Sequence, residues 1–315
     1  MQKQISLRLS AGLASILLVS LSAAGFADPF TESRTAYESG HYEEAAKLML
    51  LAAGQGNAEA QYGAAVMYEH GRGVSQDFQK AVEWYVKAAA QGSAPAANNL
   101  GYLYYTGLGV SQDDTRAFQW YMKAVQPEEG GAWNESIAWS NLGNMYYWGR
   151  GVSKNYQKAH ECYLKSVQKN GNPYAENNLG FLYEHGLGVT ADYARAMKHY
   201  RAAAEMGYSF AQENLAIMYE SGRGVMQNYD EAFQWYRKSA LQGSSFAQYK
   251  LGRIYELGLG PTMDLVEAYK WYLSAQIRGD RPAQESLRRL ETVLTPAQIN
   301  EAKQRLSSMP PPSHE

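Results

Sequence analysis

The sequence contains a single cysteine, Cys162, among its 315 residues. One thiol cannot form a disulfide within the chain, so we expect packing alone to hold the fold together. The formal net charge is only −2, and this charge does not provide the basic field that nucleic-acid-binding proteins use. We therefore predict no nucleic-acid partner.

The sequence also lacks the spacings typical of metal sites, Ser-His-Asp sets and phosphate-binding loops. His70 and His185 lie in different repeats, too far apart in the chain to share a metal ion. Paired glutamates such as Glu43-Glu44 are interpreted as solvated surface. We predict no catalytic residue, no metal and no cofactor, and we do not expect an enzyme.

The apolar run at residues 13–21 is too short to span a membrane. It follows two basic residues and precedes the small residues of Ala24-Gly25-Phe26-Ala27, an order that is typical of a secretory signal peptide. We predict a signal peptide at residues 1–27 with cleavage after Ala27, and no cysteine stands nearby to carry a lipid. The expected location is the periplasm, without a stable membrane anchor, and secretion is the alternative.

A turn of the form Gly-x-Gly recurs six times. Its first glycine recurs every 36 to 42 residues, at Gly71, Gly107, Gly149, Gly186, Gly222 and Gly258. A fixed period of this size is typical of α-solenoids, in which each helical pair buries its apolar face against its neighbours. The repeat therefore predicts an all-α chain with one continuous, elongated core.

Each repeat predicts one helix before the turn and one after it. A small residue in the middle of the first helix, such as Gly101, indicates that another helix passes close by. An Asp or Asn six residues after the turn glycine is expected to cap the second helix. These residues are Asp77, Asp113, Asn155, Asp192, Asn228 and Asp264. The second helix is expected to bury a tyrosine, at Tyr85, Tyr121, Tyr163, Tyr200, Tyr236 and Tyr272.

The predicted organisation follows the repeat. The signal peptide precedes an N-terminal capping unit at residues 28–57, which lacks the Gly-x-Gly turn. Six repeats fill residues 58–282, at about 58–93, 94–135, 136–172, 173–208, 209–244 and 245–282. The longest repeat contains an inserted loop around Trp133. C-terminal capping helices are predicted at 283–308, with a capping-box start at Thr295, and a disordered tail at 309–315.

The pattern A-x3-LG-x2-Y-x2-G-x-GV-x2-D-x3-A-x2-WY-x-KA, seen from Ala96 to Ala124, resembles the Sel1-like repeat (SLR) family of the tetratricopeptide-repeat superfamily. The match covers Ala60 to Gly279. It implies a right-handed α-solenoid whose first helices line a concave groove. It also implies an adaptor or scaffold role, since bacterial members include exported proteins in envelope assembly, signalling, host interaction and neutralisation of toxic effectors. A cysteine-rich branch linked to β-lactam binding has disulfides between its repeats, and this chain departs from it.

If the first helices line the groove, the face that points into it contains positions three, seven and ten, counted from the alanine eleven residues before each turn glycine, such as Ala96. We call this face, with Trp148 beside it, the predicted groove face. Its candidate partner-binding residues are Asn98, Tyr102, Tyr105, Asn144, Tyr147, Trp148, Asn177, Phe181, Glu184 and Glu220. Aromatic residues are frequent binding anchors, and Trp133 adds a contact from the inserted loop. The alternative is that several of these aromatic residues pack between repeats.

Asparagines recur at position four of the first helices, at Asn99, Asn141, Asn178 and Asn214. In related tetratricopeptide domains an asparagine beside the Leu-Gly pair hydrogen-bonds a bound peptide backbone, and the resemblance implies this role here. Hydrogen bonding between repeats is the favoured interpretation, because buried amides need partners in any case.

Cys162 and His199 stand where four other repeats have tryptophan. A Cys-His pair is a nucleophile arrangement, but filling a core position with smaller side chains is the favoured interpretation.

Together these observations predict a non-catalytic protein-protein interaction scaffold of the bacterial envelope, with a protein or extended peptide in the groove. An immunity-type inhibitor of a toxic effector and an envelope-assembly or signalling adaptor both fit this prediction. The alternatives are a binder of a small molecule or cell-wall fragment with weak hydrolase activity, and a secreted host-interaction factor.

Overall fold

The computed structural model of the protein describes residues 28–126, 135–168, 171–260 and 262–310. All regular secondary structure in these ranges is α-helical. The predicted signal peptide at residues 1–27, Trp133 in the inserted loop and residues 311–315 of the predicted tail lie outside the described residues. The chain divides into two compact units, one within residues 1–170 and the other within residues 171–315.

The first unit is a succession of helices in which each packs against the next. Its helices are α1 (Pro29–Glu38), α2 (Tyr42–Gly54), α3 (Ala58–His70), α4 (Phe78–Ala90), α5 (Ala94–Thr106), α6 (Asp114–Ala124), α7 (Ser136–Trp148) and α8 (Tyr156–Val167). The pairs α3/α4, α5/α6 and α7/α8 are the first three repeats, and α1 and α2 form a pair in front of them.

The second unit is built in the same way from its own helices, except that the last one packs against the helix two before it. They are α9 (Pro173–His185), α10 (Tyr193–Glu205), α11 (Ser209–Ser221), α12 (Tyr229–Leu241), α13 (Ser245–Leu257), α14 (Leu265–Ile277), α15 (Arg281–Glu291) and α16 (Pro296–Ser307). The last three repeats are α9/α10, α11/α12 and α13/α14, and α15 and α16 both pack against α14.

The predicted N-caps of the second helices are confirmed. The Asp77 side chain accepts a hydrogen bond from the backbone N–H of Lys80 (3.0 Å) in the first turn of α4. The equivalent caps are Asp113, Asn155, Asp192, Asn228 and Asp264. Caps of this kind typically stabilise a helix by about 1 kcal/mol.

The two glycines of the turn are required for different structural reasons. Gly149 ends α7 in the left-handed conformation at φ 69°, and its N–H donates to the carbonyl of Met145. At Gly151, a Cβ would lie 2.0 Å from the carbonyl oxygen of Asp114, in the first turn of α6. The turn therefore lies directly against the second helix of the preceding repeat, where only glycine fits.

A tyrosine of the second helix lies at the buried centre of each repeat, as the sequence predicts. The six side chains are at most 1% exposed: Tyr85, Tyr121, Tyr163, Tyr200, Tyr236 and Tyr272. Their rings explain the small residue in the first helix, because a Cβ at Gly101 would lie 2.6 Å from the ring of Tyr121. The predicted close contact is confirmed, and the second helix of the same repeat makes it.

The C-terminal helices are attached to the last repeat by polar and apolar contacts. Thr295 forms the predicted capping box with Gln298 at the start of α16. Arg305 of α16 donates to Glu267 of α14 (2.8 Å). Beyond α16, Met309 packs against the hydrophobic core of the second unit.

Candidate functional site

In the first unit, a continuous series of hydrogen bonds crosses three repeats beside the predicted groove face. Asn141 Nδ2 donates to Asn98 Oδ1 (3.0 Å), and Asn98 Nδ2 donates to Asn99 Oδ1 (3.3 Å). Asn99 Nδ2 donates to the hydroxyl of Tyr85 (2.9 Å), which donates to Glu69 Oε2 (2.6 Å). Asn99 and Asn141 thus make the inter-repeat hydrogen bonds of the favoured interpretation, and Asn98 is buried among them.

The second repeat has tyrosines at positions seven and ten of the first helix. Tyr105 is buried, and the guanidinium carbon of Arg150 lies 3.9 Å from the centre of its ring. A bidentate ion pair with Asp114 (2.7 and 2.8 Å) fixes Arg150 in this position. Tyr102, one turn earlier, is half-buried. Tyr105 thus packs between repeats, whereas part of Tyr102 faces solvent.

The hydroxyl of Tyr121 is buried beside these two tyrosines and has no hydrogen-bond partner within the described residues. In the other five repeats the equivalent hydroxyl donates at 2.6–2.8 Å, to Glu69, Asn144, Glu184, Glu220 or Glu256. Positions seven and ten of the second repeat offer Tyr102 and Tyr105 instead of a carboxylate or amide. Burial, followed by these neighbouring tyrosines, raises the pKa of Tyr121, so its hydroxyl stays protonated.

The third repeat carries the most exposed aromatic residue among the described candidates. Trp148 is 44% exposed, and its ring packs edge-on against Tyr147 at a centroid distance of 4.7 Å. Tyr147 in turn packs against Tyr156 at 5.3 Å. One turn earlier in α7, Asn144 accepts a hydrogen bond from Tyr163 (2.7 Å). This end of α7 therefore presents an open aromatic surface on a fixed support.

In the second unit, the predicted glutamates are held by internal partners. Glu184 accepts from the hydroxyl of Tyr200 (2.8 Å) and pairs with Arg223 (2.6 Å) in the next repeat. Glu220 pairs with Lys250 (2.8 Å) in the repeat after it. Both carboxylates are compensated by cations, so neither contributes an uncompensated negative charge to the predicted groove face.

The remaining candidates of the second unit are half-buried on its first helices. Asn214 Nδ2 donates to Asn177 Oδ1 (3.0 Å), which joins α11 to α9. Phe181 stacks on His185 at a centroid distance of 4.1 Å. Asn178 lies beside Asn177 in α9. Asn214 thus makes the same kind of inter-repeat bond as Asn141 does in the first unit.

Cys162 and His199 are each accounted for within their own unit. Cys162 is 5% exposed, and burial raises the pKa of its thiol to about 12, so little thiolate exists at neutral pH. The Nδ1 atom of His199 lies 2.7 Å from Glu176 Oε2, and its ring stacks on Tyr183 at 5.4 Å. Cys162 therefore fills a core position, as the favoured interpretation has it, whereas His199 is half-buried.

Cavities on the surface of the described part of the second unit include the following two. One, of about 450 Å³, lies between α13 and α15 and is lined by Tyr249, Arg253, Glu256, Leu257, Tyr272, Pro282, Glu285, Ser286 and Arg289. The other, of about 530 Å³, lies along α10 beside Gly224 and contains none of the predicted site residues. The first cavity includes positions three, seven and ten of α13 and so belongs to the predicted groove face.

The described residues provide neither a metal-binding cluster nor a membrane-spanning helix. Within these ranges, no group of three His, Cys, Asp or Glu side chains is arranged to hold a metal ion. None of the helices in the described ranges combines the length and apolar character needed to cross a bilayer.

Sequence reasoning missed the basic residues that connect the repeats. Arg150 and Arg223 are the middle residues of Gly-Arg-Gly turns, and Lys250 stands where four other first helices have asparagine. The recurrence of arginine between the two turn glycines was a usable signal. Its acidic or aromatic partners were not visible, because they come from the preceding repeat.

The helical pairs, the Gly-x-Gly turns and the buried tyrosines define an all-α repeat solenoid. The family model described as "Sel1 repeat" matches residues 39–57, 58–93, 94–126, 138–170, 173–208, 209–244 and 245–279. These matches cover most of the chain, and the chain belongs to the Sel1 repeat family. The first match, at residues 39–57, lies inside the predicted N-terminal capping unit.

Solved structures agree with this assignment. A Sel1 repeat protein from Oxalobacter formigenes is 33% identical and has a TM-score of 0.71, and the match covers 79% of this chain and 97% of that one. A protective antigen of uropathogenic Escherichia coli with an SLR fold is 27% identical, with a TM-score of 0.55 over 89% of this chain and 76% of that one. The comparison with curated proteins gives no match.

The similarity to an immunity protein of Pseudomonas aeruginosa is weaker. The two chains are 25% identical with a TM-score of 0.43, over 70% of this chain and 81% of that one. At this score the likeness carries no argument about function. Sel1 and tetratricopeptide repeats in general are protein-interaction modules and typically non-catalytic scaffolds.

Proposed function

We propose that this protein is a non-catalytic scaffold of the bacterial envelope that binds a protein or an extended peptide on the predicted groove face. The observation that carries the proposal is the exposed ring of Trp148, 4.7 Å from Tyr147, at the end of α7. Tryptophan and tyrosine are enriched among residues that dominate binding energy, and a rigid support lowers the entropy cost of binding.

The hydrogen bonds beneath this surface support the same proposal. Asn98, Asn99 and Asn141 hold neighbouring first helices together, and Asn144 holds the second-helix tyrosine of its own repeat. These amides act as a supporting layer, so within the first unit we assign partner contact to Trp148, Tyr147 and Tyr102.

The partner is a protein of the envelope or a toxic effector delivered to it, and the predicted signal peptide supports a periplasmic location. In the first case the protein acts as an assembly or signalling adaptor, and in the second as an immunity-type inhibitor. Cys162 gives no support to the hydrolase alternative, because its buried thiol is a poor nucleophile at neutral pH.

Affinity purification with matched surface variants tests the proposal. Trp148→Ala removes an aromatic residue that is 44% exposed on a first helix, and Val86→Ala removes an apolar residue that is 40% exposed on the second helix α4. We expect a specific envelope protein to co-purify with the wild type and with Val86→Ala, but not with Trp148→Ala. Equal retention by both variants, each folded by circular dichroism, would place the contact elsewhere.

A further inference from the structure

The cavity of about 450 Å³ in the second unit is lined by two groups of charged side chains. The first group forms ion pairs within the protein, and among the described residues the second group does not. The first group is centred on Glu256, which accepts from Tyr272 (2.7 Å) and from Arg289 (2.8 and 3.0 Å). The rings of Tyr249 and Tyr272 lie 5.6 Å apart beside it. This part of the cavity is a fixed, internally neutral wall.

Two other charged side chains line the same cavity without internal compensation. Arg253 lies at position seven of α13, and Glu285 lies on α15; both are exposed. Within the described part of the chain, neither forms a hydrogen bond or an ion pair, with each other or with a third residue. The apolar side chain of Leu257, which is 53% exposed, also lines the cavity. The cavity therefore offers one free cation, one free anion and an apolar surface.

The size of the cavity restricts the kind of ligand that can place opposite charges beside Arg253 and Glu285. A volume of about 450 Å³ lies in the range of small-ligand sites, so a long folded segment does not enter it. A C-terminal basic residue of a peptide supplies both a carboxylate and a side-chain cation from one residue. An internal acidic and basic pair needs two adjacent residues to supply the same charges.

We propose that this cavity binds the C-terminal basic residue of a peptide, with its carboxylate on Arg253 and its side-chain cation facing Glu285. The proposal rests on the proposed function, because it assigns one end of the bound peptide to the C-terminal part of the predicted groove face. The guanidinium suits this role, because its planar fork of N–H donors matches the geometry of a carboxylate. The residue that precedes the basic one contacts Leu257.

Isothermal titration of the full chain with acetyl-Ala-Leu-Lys tests the proposal, with the C-terminal amide of the same peptide as the matched ligand. We expect the free acid to bind about tenfold or more tightly than the amide, since hydrogen bonds to charged groups contribute about this much. In Arg253→Gln the preference for the free acid disappears. In Glu285→Gln both peptides bind more weakly and the preference is kept. Arg278→Gln removes an exposed arginine outside the cavity and is expected to bind as the wild type does.

Equal binding of the acid and the amide overturns the proposal, as does the absence of binding by both. A preference for the acid that survives Arg253→Gln also overturns it, and so does an equal loss in Arg278→Gln. An amidated peptide with an internal Glu-Lys pair, acetyl-Glu-Lys-Ala-amide, separates side-chain from terminal recognition: tighter binding of this peptide than of the free acid contradicts the proposal. One pair of results would rule out this site alone and keep the proposed function. In it, the free acid and the amide bind equally, and the protein partner is retained by Arg253→Gln but lost by Trp148→Ala.

Discussion

The hydroxyl of Tyr85 donates a 2.6 Å hydrogen bond to Glu69, a carboxylate that is 5% exposed. One repeat further along, the hydroxyl of Tyr121 is equally buried and has no acceptor within the described residues. The two tyrosines occupy the same place in the repeat and belong to the same unit. They form a matched pair that differs in hydrogen bonding, because the Tyr85 hydroxyl donates to Glu69 and accepts from Asn99, whereas within the described part of the chain the Tyr121 hydroxyl does neither.

We expect Tyr85→Phe to lower the free energy of unfolding by about 1.5–3 kcal/mol, because it leaves the buried carboxylate of Glu69 without its donor and the amide of Asn99 without its acceptor. Tyr121→Phe is expected to leave stability unchanged or to raise it, because no bond is lost and a buried polar atom is removed. Urea unfolding followed by circular dichroism measures both. Equal losses in the two variants would contradict the assignment of Tyr121 as a hydroxyl without a partner.

The small residue in the first helix gives a second prediction. Gly101→Ala places a Cβ 2.6 Å from the buried ring of Tyr121, and overpacking of this kind costs about 1–3 kcal/mol. Ala216 occupies the same position in the fifth repeat, where the structure already accommodates it. Ala216→Gly is expected to cost up to about 1 kcal/mol through helix propensity. A Gly101→Ala variant with wild-type thermal stability would show that the ring has room to move.

Glu213 gives a prediction about pH. Burial raises its pKa above the ordinary value of 4.5, although hydrogen bonds from Ser244 and Ser239 act in the opposite direction. Because the pKa of Glu213 is higher in the folded state than in the unfolded state, protonation of Glu213 stabilises the fold. This contribution to the free energy of unfolding is fully present below pH 4.5 and is lost as the pH rises through the pKa of the folded state. We expect Glu213→Gln to melt at a higher temperature than the wild type at pH 7, with the difference shrinking toward pH 4.5. A difference that is constant with pH would contradict this.

Cys162 provides a simple probe of core packing, since it is the only cysteine in the sequence. Its pKa of about 12 and its 5% exposure predict slow reaction with iodoacetamide at pH 7 in the folded protein. In unfolding concentrations of urea we expect complete labelling, which mass spectrometry detects. Fast labelling without denaturant would indicate an accessible thiolate and would reopen the nucleophile interpretation.

The sequence predicted the fold well, because six copies of the repeat allow each position to be compared with its equivalents. The caps at Asp77 and its counterparts follow from local chemistry that a single helix end determines. The buried tyrosines follow from their fixed spacing with alanine on one helical face. These features need only contacts within one repeat.

The candidate site was harder to predict, because its side chains depend on contacts between repeats. Asn98 was assigned to partner contact, but it is buried and bonded to Asn141, 43 residues away across the inserted loop. Residues with the same helical spacing lie on the same face of the helix. The spacing therefore does not distinguish a residue that lies in a groove from one that packs against the next helix. Likewise, the pairing of Glu220 with Lys250 depends on how two repeats stack, which the spacing within one helix does not specify.

Site-specific photo-crosslinking in the intact producing cell tests the central claim most directly. A photoreactive phenylalanine analogue is placed at position 148 of the first-helix surface or at position 86 of α4, and crosslinked products are identified by mass spectrometry. We predict a crosslink to one protein from position 148 and none to that protein from position 86. A partner captured from position 86 alone, or no crosslink from position 148, would contradict binding on the predicted groove face.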